Sequence, residues 1–220
     1  MNYSDVNNTN KFQRSLRPLL INQEREKDLL SICPHRDITP EISCIAVSSE
    51  THAPINYHSA AEHCMTGAEI LDQAVQNQSK SSYQLSTIED MLGNAAGEIT
   101  PPTSLLVLTN KQSFWGSSEV LNEIAMKDAA TRLHSEKIFV IPSSVHEVLL
   151  FPQNGGISAK QFNNLINSVN QAEVQPRDRL ASRAMLYDSR SHRLADAEEM
   201  LNEKFVPEAQ LPSPERRHHV

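Results

Sequence analysis

Three uninterrupted apolar runs within residues 104–152 constrain this chain more than any other feature of it. They are Leu105-Leu106-Val107-Leu108, Ile138-Phe139-Val140-Ile141 and Val148-Leu149-Leu150-Phe151. Runs without alternation are what strands buried on both faces look like. A helix-length stretch separates the first two. The last two are separated only by Pro142-Ser143-Ser144-Val145-His146-Glu147, too short for a crossover, so they should pair antiparallel.

Around this centre the pattern extends in both directions. After the first run, Ser117 or Ser118 is a suitable helix N-cap, with Glu119 favourable in the first turn. Leu121, Ile124, Ala125, Ala129 and Leu133 are expected to face inward. After the third run Asn154-Gly155-Gly156 marks a stop, and Ser158 caps a helix. There Phe162, Leu165, Ile166 and Val169 recur at i, i+3, i+4 and i+7. Residues 184–187 read as a fourth strand. The order from 104 to 194 is β-α-β-β-α-β, which predicts an α+β fold: a mixed or antiparallel sheet with its helices on one face, ferredoxin-like in the simplest case.

The N-terminal half is less regular. Residues 1–10 are polar and expected to be disordered, and residues 1–30 form a flexible or helical arm limited by Pro18. Residues 31–82 make a helical and extended subregion, with a strand at 42–47 and a helical pattern over 59–75 broken near Gly67. The polar run 76–82 is the clearest internal boundary. Residues 83–195 are the α+β core, including a short helix around Ile88, Met91 and Leu92 and an extended Pro101-Pro102. Residues 196–220 are an acidic and then Pro-rich tail, helical at first and disordered beyond.

Composition narrows the function classes. The net charge of −7 argues against a general nucleic-acid binder. Six glycines are too few for a Gly-rich phosphate-binding fold. No run of 18 apolar residues is present, so no membrane-spanning helix is expected. Residues 1–10 carry no apolar leader-like region, and three cysteines are an odd number for a disulfide framework. A cytoplasmic protein with reduced thiols follows.

Leu108-Thr109-Asn110-Lys111, Trp115-Gly116-Ser117-Ser118, the run from Phe139 through Pro142, His146 and Val148, Ser168-Val169-Asn170 and Leu180-Ala181-Ser182 together resemble DUF5688, a family of uncharacterised proteins of gut Firmicutes. Ile55-Asn56-Tyr57 and Met65-Thr66-Gly67 are similar to its N-terminal half, so the resemblance spans roughly residues 40–195. It implies one continuous unit and no known activity, cofactor or substrate.

Three constellations are candidates for chemistry. At the 142–147 turn, Ser144 as nucleophile and His146 as base would share a strand face, but Glu147 falls on the other face and no G-x-S-x-G elbow is present. The plainer account is a hairpin turn in which Ser143 and Ser144 bond local backbone and His146 is a satisfied edge residue. Cys33, His35, His58, His63 and Cys64, with Cys44 and His52, fall close together, yet their spacing matches no zinc motif. Arg177, Arg179, Arg183, Arg190 and Arg193 suggest an anionic partner or a solvated surface. Trp115 is either a packing residue or an anchor for a partner. No cofactor is implied. The leading expectation is a non-catalytic protein acting through protein–protein contacts; the rival is a hydrolase or metal-dependent enzyme centred on Ser144, His146 and Glu147.

Overall fold

The computed structural model describes residues 3–87, 105–142 and 144–203. Helix α1 (Tyr3–Ser15) gives way to strand β1 (Leu16–Asn22) where the sequence turns apolar on both faces. Leu16, Leu19, Leu20 and Ile21 are all buried, Leu16 and Leu20 in one core cluster and Leu19 and Ile21 in another, as a strand covered on both faces requires. Residues 16–22 are thus a strand and not part of a helical arm, and residues 3–10, expected to be disordered, lie in α1. Pro18 is compatible with β1 because β1 is an edge strand, where a missing N–H breaks no ladder.

Helix α2 (Lys27–Ile32), β2 (His35–Asp37) and β3 (Ile42–Ser48) follow. β1, β3 and β2 form an antiparallel sheet in that order, with Leu19 opposite Ile45 and Arg36 opposite Cys44. β3 is buried along Ile42–Val47 because both of its faces are covered. One face receives α4 (Gly67–Gln78) through Ile70, Leu71 and Ala74. The helical pattern there divides as expected, into α3 (Tyr57–Glu62) and α4. A capping box starts α4: Thr66 Oγ1 accepts from Glu69 N at 3.3 Å, and Glu69 Oε2 accepts from Thr66 N at 2.7 Å.

The second sheet has six strands: β4 (Tyr83–Thr87), β5 (Leu106–Asn110), β6 (Lys137–Ile141), β7 (Val148–Pro152), β8 (Met185–Asp188) and β9 (Arg193–Asp196). Their spatial order is β4-β5-β7-β6-β8-β9, with every neighbouring pair antiparallel. The three apolar runs are β5, β6 and β7, the last two paired as expected. Helix α5 (Glu123–Arg132) lies between β5 and β6, α6 (Ala159–Ala172) between β7 and β8, and α7 (Ala197–Asn202) after β9.

The α+β class agrees with the sequence. The placement of both helices on one face does not. Ile138, Val140, Val148 and Leu150 pack with Ala125, Met126 and Ala129 of α5, whereas Phe139, Ile141 and Leu186 pack with Phe162 and Ile166 of α6. Strand order explains this. In a ferredoxin-like sheet the fourth strand returns beside the first; here β4 already occupies that edge of β5, and β8 pairs with β6 instead. Both crossovers, β5-α5-β6 and β7-α6-β8, then move the same way along the sheet from oppositely directed strands. Right-handed connections of that kind must lie on opposite faces.

Two local details differ as well. Ser117 and Ser118 are buried in a 3-10 turn (Gly116–Leu121), and Asn122 caps α5, its Oδ1 accepting from Ile124 N and Ala125 N at 3.2 and 3.3 Å. Ile124, expected inward, is exposed. Ser158 caps α6 as its sequence pattern predicts, with Gln161 completing the box. Phe162 meets Phe139 and Phe151 at ring-centroid distances of 4.9 and 5.1 Å; burying a ring of this kind stabilises by about 1.5–3 kcal/mol. The expected helix around Ile88, the Pro101-Pro102 segment and the tail beyond 203 lie outside the described residues. Among the described residues no helix is long and apolar enough to cross a membrane.

Candidate docking site at an aromatic ridge

Strand β5 ends in Asn110, whose side chain folds the following loop back on itself. Its Oδ1 accepts from Gln112 N and Phe114 N at 3.1 and 3.2 Å, and its Nδ2 donates to Phe114 O at 2.7 Å. The loop holds Ser113 and Trp115 at φ of 50° and 55°. Left-handed backbone costs a residue with a Cβ about 1–2 kcal/mol, so contacts elsewhere must hold it.

Those contacts come from the turn between β6 and β7. Trp115 N donates to His146 Nδ1 at 3.3 Å, Ser117 N to Val145 O at 3.3 Å, and Thr109 Oγ1 to His146 O at 2.8 Å. Gly116 lies against the same turn so closely that an added Cβ would stand 2.5 Å from His146 O and 2.7 Å from Asn110 N. Only glycine fits. The segments carrying Trp115-Gly116 and Pro142 to Val148 therefore interlock into one unit.

His146 has both ring nitrogens turned to protein groups. Nδ1 accepts from Trp115 N, which leaves the proton on Nε2, and Nε2 faces Asp178 Oδ1 at 3.7 Å. Ser144 lies in the same turn, but its Oγ accepts from the backbone N of His146 at 3.1 Å, and its own N donates to Glu147 O at 3.5 Å. Ser144, His146 and Glu147 are thus brought together through backbone bonds. Ser143 lies outside the described residues. Val145 N donates to Asp178 O at 2.9 Å, so Asp178 holds the turn by main chain as well as facing its imidazole.

The result is an aromatic ridge. Phe114 stacks on Trp115 at 4.4 Å and 29°, His52 meets both rings edge-on at 5.9 and 5.7 Å, and the His146 ring is 5.6 Å from Phe114. Phe114 remains 44% exposed. His52, like Trp115, has a left-handed backbone, with φ of 58°. A groove of about 560 Å³ runs along one side, with Leu19, Ile21 and Leu29 at its base and the pairs Arg25–Glu26 (2.8 Å) and Arg177–Asp178 (3.7 Å) among its charged residues. A second groove of about 540 Å³, which shares His52, Phe114 and Trp115, carries Arg17, Lys80 and several hydroxyl and amide groups. Glu119 also lines it, with no exposed surface; Asn122 Nδ2 and Ser81 Oγ donate to its carboxylate at 3.0 and 3.2 Å. Burial pushes the Glu119 carboxyl above its ordinary range.

The other sequence candidates are dispersed. Cys33 is buried, and its carbonyl is 3.1 Å from His35 Nδ1. His58 faces Glu62 at 3.3 Å on an exposed helix turn, His63 stacks on Phe12 at 3.7 Å, and Cys64 is exposed. Cys44 is buried, which pushes its thiol up to about 12. Among the described residues no three His, Cys, Asp or Glu side chains converge as metal ligands would. Four of the five arginines in 177–193 face carboxylates: Arg177 at Asp178, Arg183 at Asp196 and Glu198, Arg190 at Glu136 and Arg193 at Glu203. Arg179 instead donates from Nε to Val174 O at 3.0 Å.

Neither Phe114 nor Asp178 is singled out by the sequence, and His52 stands out there only among the scattered Cys and His residues. Phe114 adjoins the lone Trp and is the one signal that local inspection offers; His52 and Asp178 reach the ridge from distant segments. No curated protein and no solved structure matches the chain. A family model does, over residues 1–189. With that match covering most of its length, the chain belongs to DUF5688, a family of unknown function.

Proposed function

We propose that this protein is a non-catalytic binding protein that acts through protein–protein contacts at the Phe114–Trp115 ridge. The observation that carries this reading is a large aromatic side chain held 44% exposed on a rigid, left-handed loop between two grooves. Strained backbone persists where surrounding contacts over-determine it, and such places cluster at ligand clamps and binding sites. Aromatic anchors bordered by polar groups are typical of interface hot spots.

A hydrolase centred on Ser144, His146 and Glu147 fits less well. A general base needs a lone pair free to take a proton, and that of His146 accepts from Trp115 N. The Ser144 hydroxyl faces backbone and not the imidazole.

The test is quantitative affinity capture from the native host with the wild-type chain and with Phe114→Ala. Phe114 is on the surface, so the variant should keep the wild-type circular dichroism spectrum. The expected result is a small set of proteins retained by the wild type and depleted at least fivefold on the variant, an effect of about 1 kcal/mol. Identical sets on both would overturn the proposal.

A further inference from the structure

We infer that the partner docking on this ridge presents an acidic segment beside the side chain it places against Phe114; this rests on the docking reading above. The reason is the charge distribution of the second groove. The chain has 27 acidic and 20 basic residues, and most of the arginines among the described residues face a carboxylate within the fold. Arg25, Arg36, Arg132, Arg183, Arg190 and Arg193 each face a carboxylate.

Arg17 and Lys80, which line this groove, have no ion pair among the described residues. Arg17 Nη1 donates to the carbonyls of Arg14 and Leu16 at 2.9 and 2.7 Å, which holds the guanidinium in place with no carboxylate partner among the described residues. The Lys80 side chain is exposed and makes no hydrogen bond among the described residues. Lys111, between the groove residues Asn110 and Gln112, is likewise without an ion pair. The carboxylate that lines the groove, Glu119, is fully buried and held by Asn122 and Ser81.

An acidic protein whose exposed aromatic ridge borders cations without a carboxylate partner among the described residues is complementary to an anionic partner. The two features specify different halves of that partner: an apolar or aromatic side chain for Phe114 and Trp115, and Asp or Glu for Arg17 and Lys80. The groove on the other side of the ridge, where Arg25–Glu26 and Arg177–Asp178 are already paired, adds apolar surface without a net charge preference. Rim charges of this kind act chiefly on encounter rate and on the choice between partners.

The experiment is selection of a displayed library of random short peptides on the full chain, followed by fluorescence anisotropy of the enriched sequences as synthetic peptides. Enriched peptides should combine Asp or Glu with an aromatic residue or Leu. Their affinity should fall as salt is raised, fall about fivefold or more in Lys80→Glu, and be lost in Phe114→Ala. Lys80 is exposed and makes no side-chain bond among the described residues, so its reversal leaves the fold intact; Arg17→Gln is the second, more intrusive variant. Peptides that require Phe114 but are neutral or basic and ignore Lys80→Glu would overturn the acidic partner and leave the docking reading standing. Peptides indifferent to Phe114, or no selection at all, would overturn both. Inorganic phosphate that binds alone, is lost in Lys80→Glu, and is accompanied by no acidic peptide would reassign the groove to small anions.

Discussion

Gly116 has no room for a methyl group. A Cβ there would approach Thr109 Oγ1 to 2.2 Å and two backbone atoms to 2.5 and 2.7 Å, and backbone cannot yield as a flexible side chain can. Gly116→Ala should therefore cost about 2–3 kcal/mol, read as a lower urea midpoint at unchanged m value. Trp115 is the single tryptophan, so the same titration reports whether its surroundings have changed before global unfolding. A loss below about 0.5 kcal/mol, the range of ordinary surface changes, would show that the two turns are not in contact. The local half of this site was legible in the sequence: a serine two residues before His146 makes a hydroxyl turn, and Ser144 Oγ does accept from His146 N. Its long-range half was not. Nothing near His146 announces that its ring will accept from Trp115 N and face Asp178, because both partners arrive from other segments of the chain.

At the scale of the elements, the 3-10 turn Gly116–Leu121 buries a carboxyl group. Glu119 sits in it without exposed surface, and burial raises its carboxyl above the ordinary value of 4.5. The folded chain thus holds that proton more tightly than the unfolded chain. Whatever stability Glu119 adds is complete below the ordinary carboxylate value and is lost as pH rises through the raised one. In Glu119→Gln that dependence disappears. Stability of the wild type relative to the variant should fall as pH is raised from about 4 to 8, measured as paired urea midpoints across that range. A difference independent of pH would contradict the burial of this carboxyl. The same scale shows which elements the sequence disclosed. Buried runs such as Ile138-Phe139-Val140-Ile141 declared themselves as strands, and Ser158 declared the start of α6. Tyr83–Thr87 did not, since its residues are mixed in polarity and none is fully buried. Missing that one strand was enough to misplace α6, because β4 on the edge of β5 sends β8 to the other side of the sheet.

At the scale of the whole molecule, the two sheets share a core: Leu16, Leu20 and Cys44 of the smaller sheet pack with Leu108, Val148 and Tyr187 of the larger. Trp115 packs against this core and also against Leu19, Ile21 and Val47 on the far face of the small sheet. The ridge thus stands where the two sheets join, and its rigidity derives from both. That arrangement depends on contacts between segments far apart in the chain, so hydrophobic pattern alone does not reveal it. Photo-crosslinking in the native host reads directly whether a partner lands on Phe114. A photoreactive phenylalanine analogue is placed at Phe114 and, as a control, at Leu165, which is 49% exposed on α6. A partner seated on the ridge gives a discrete crosslinked species from position 114 and none from position 165. No adduct at 114, or the same adducts from both positions, would contradict docking there.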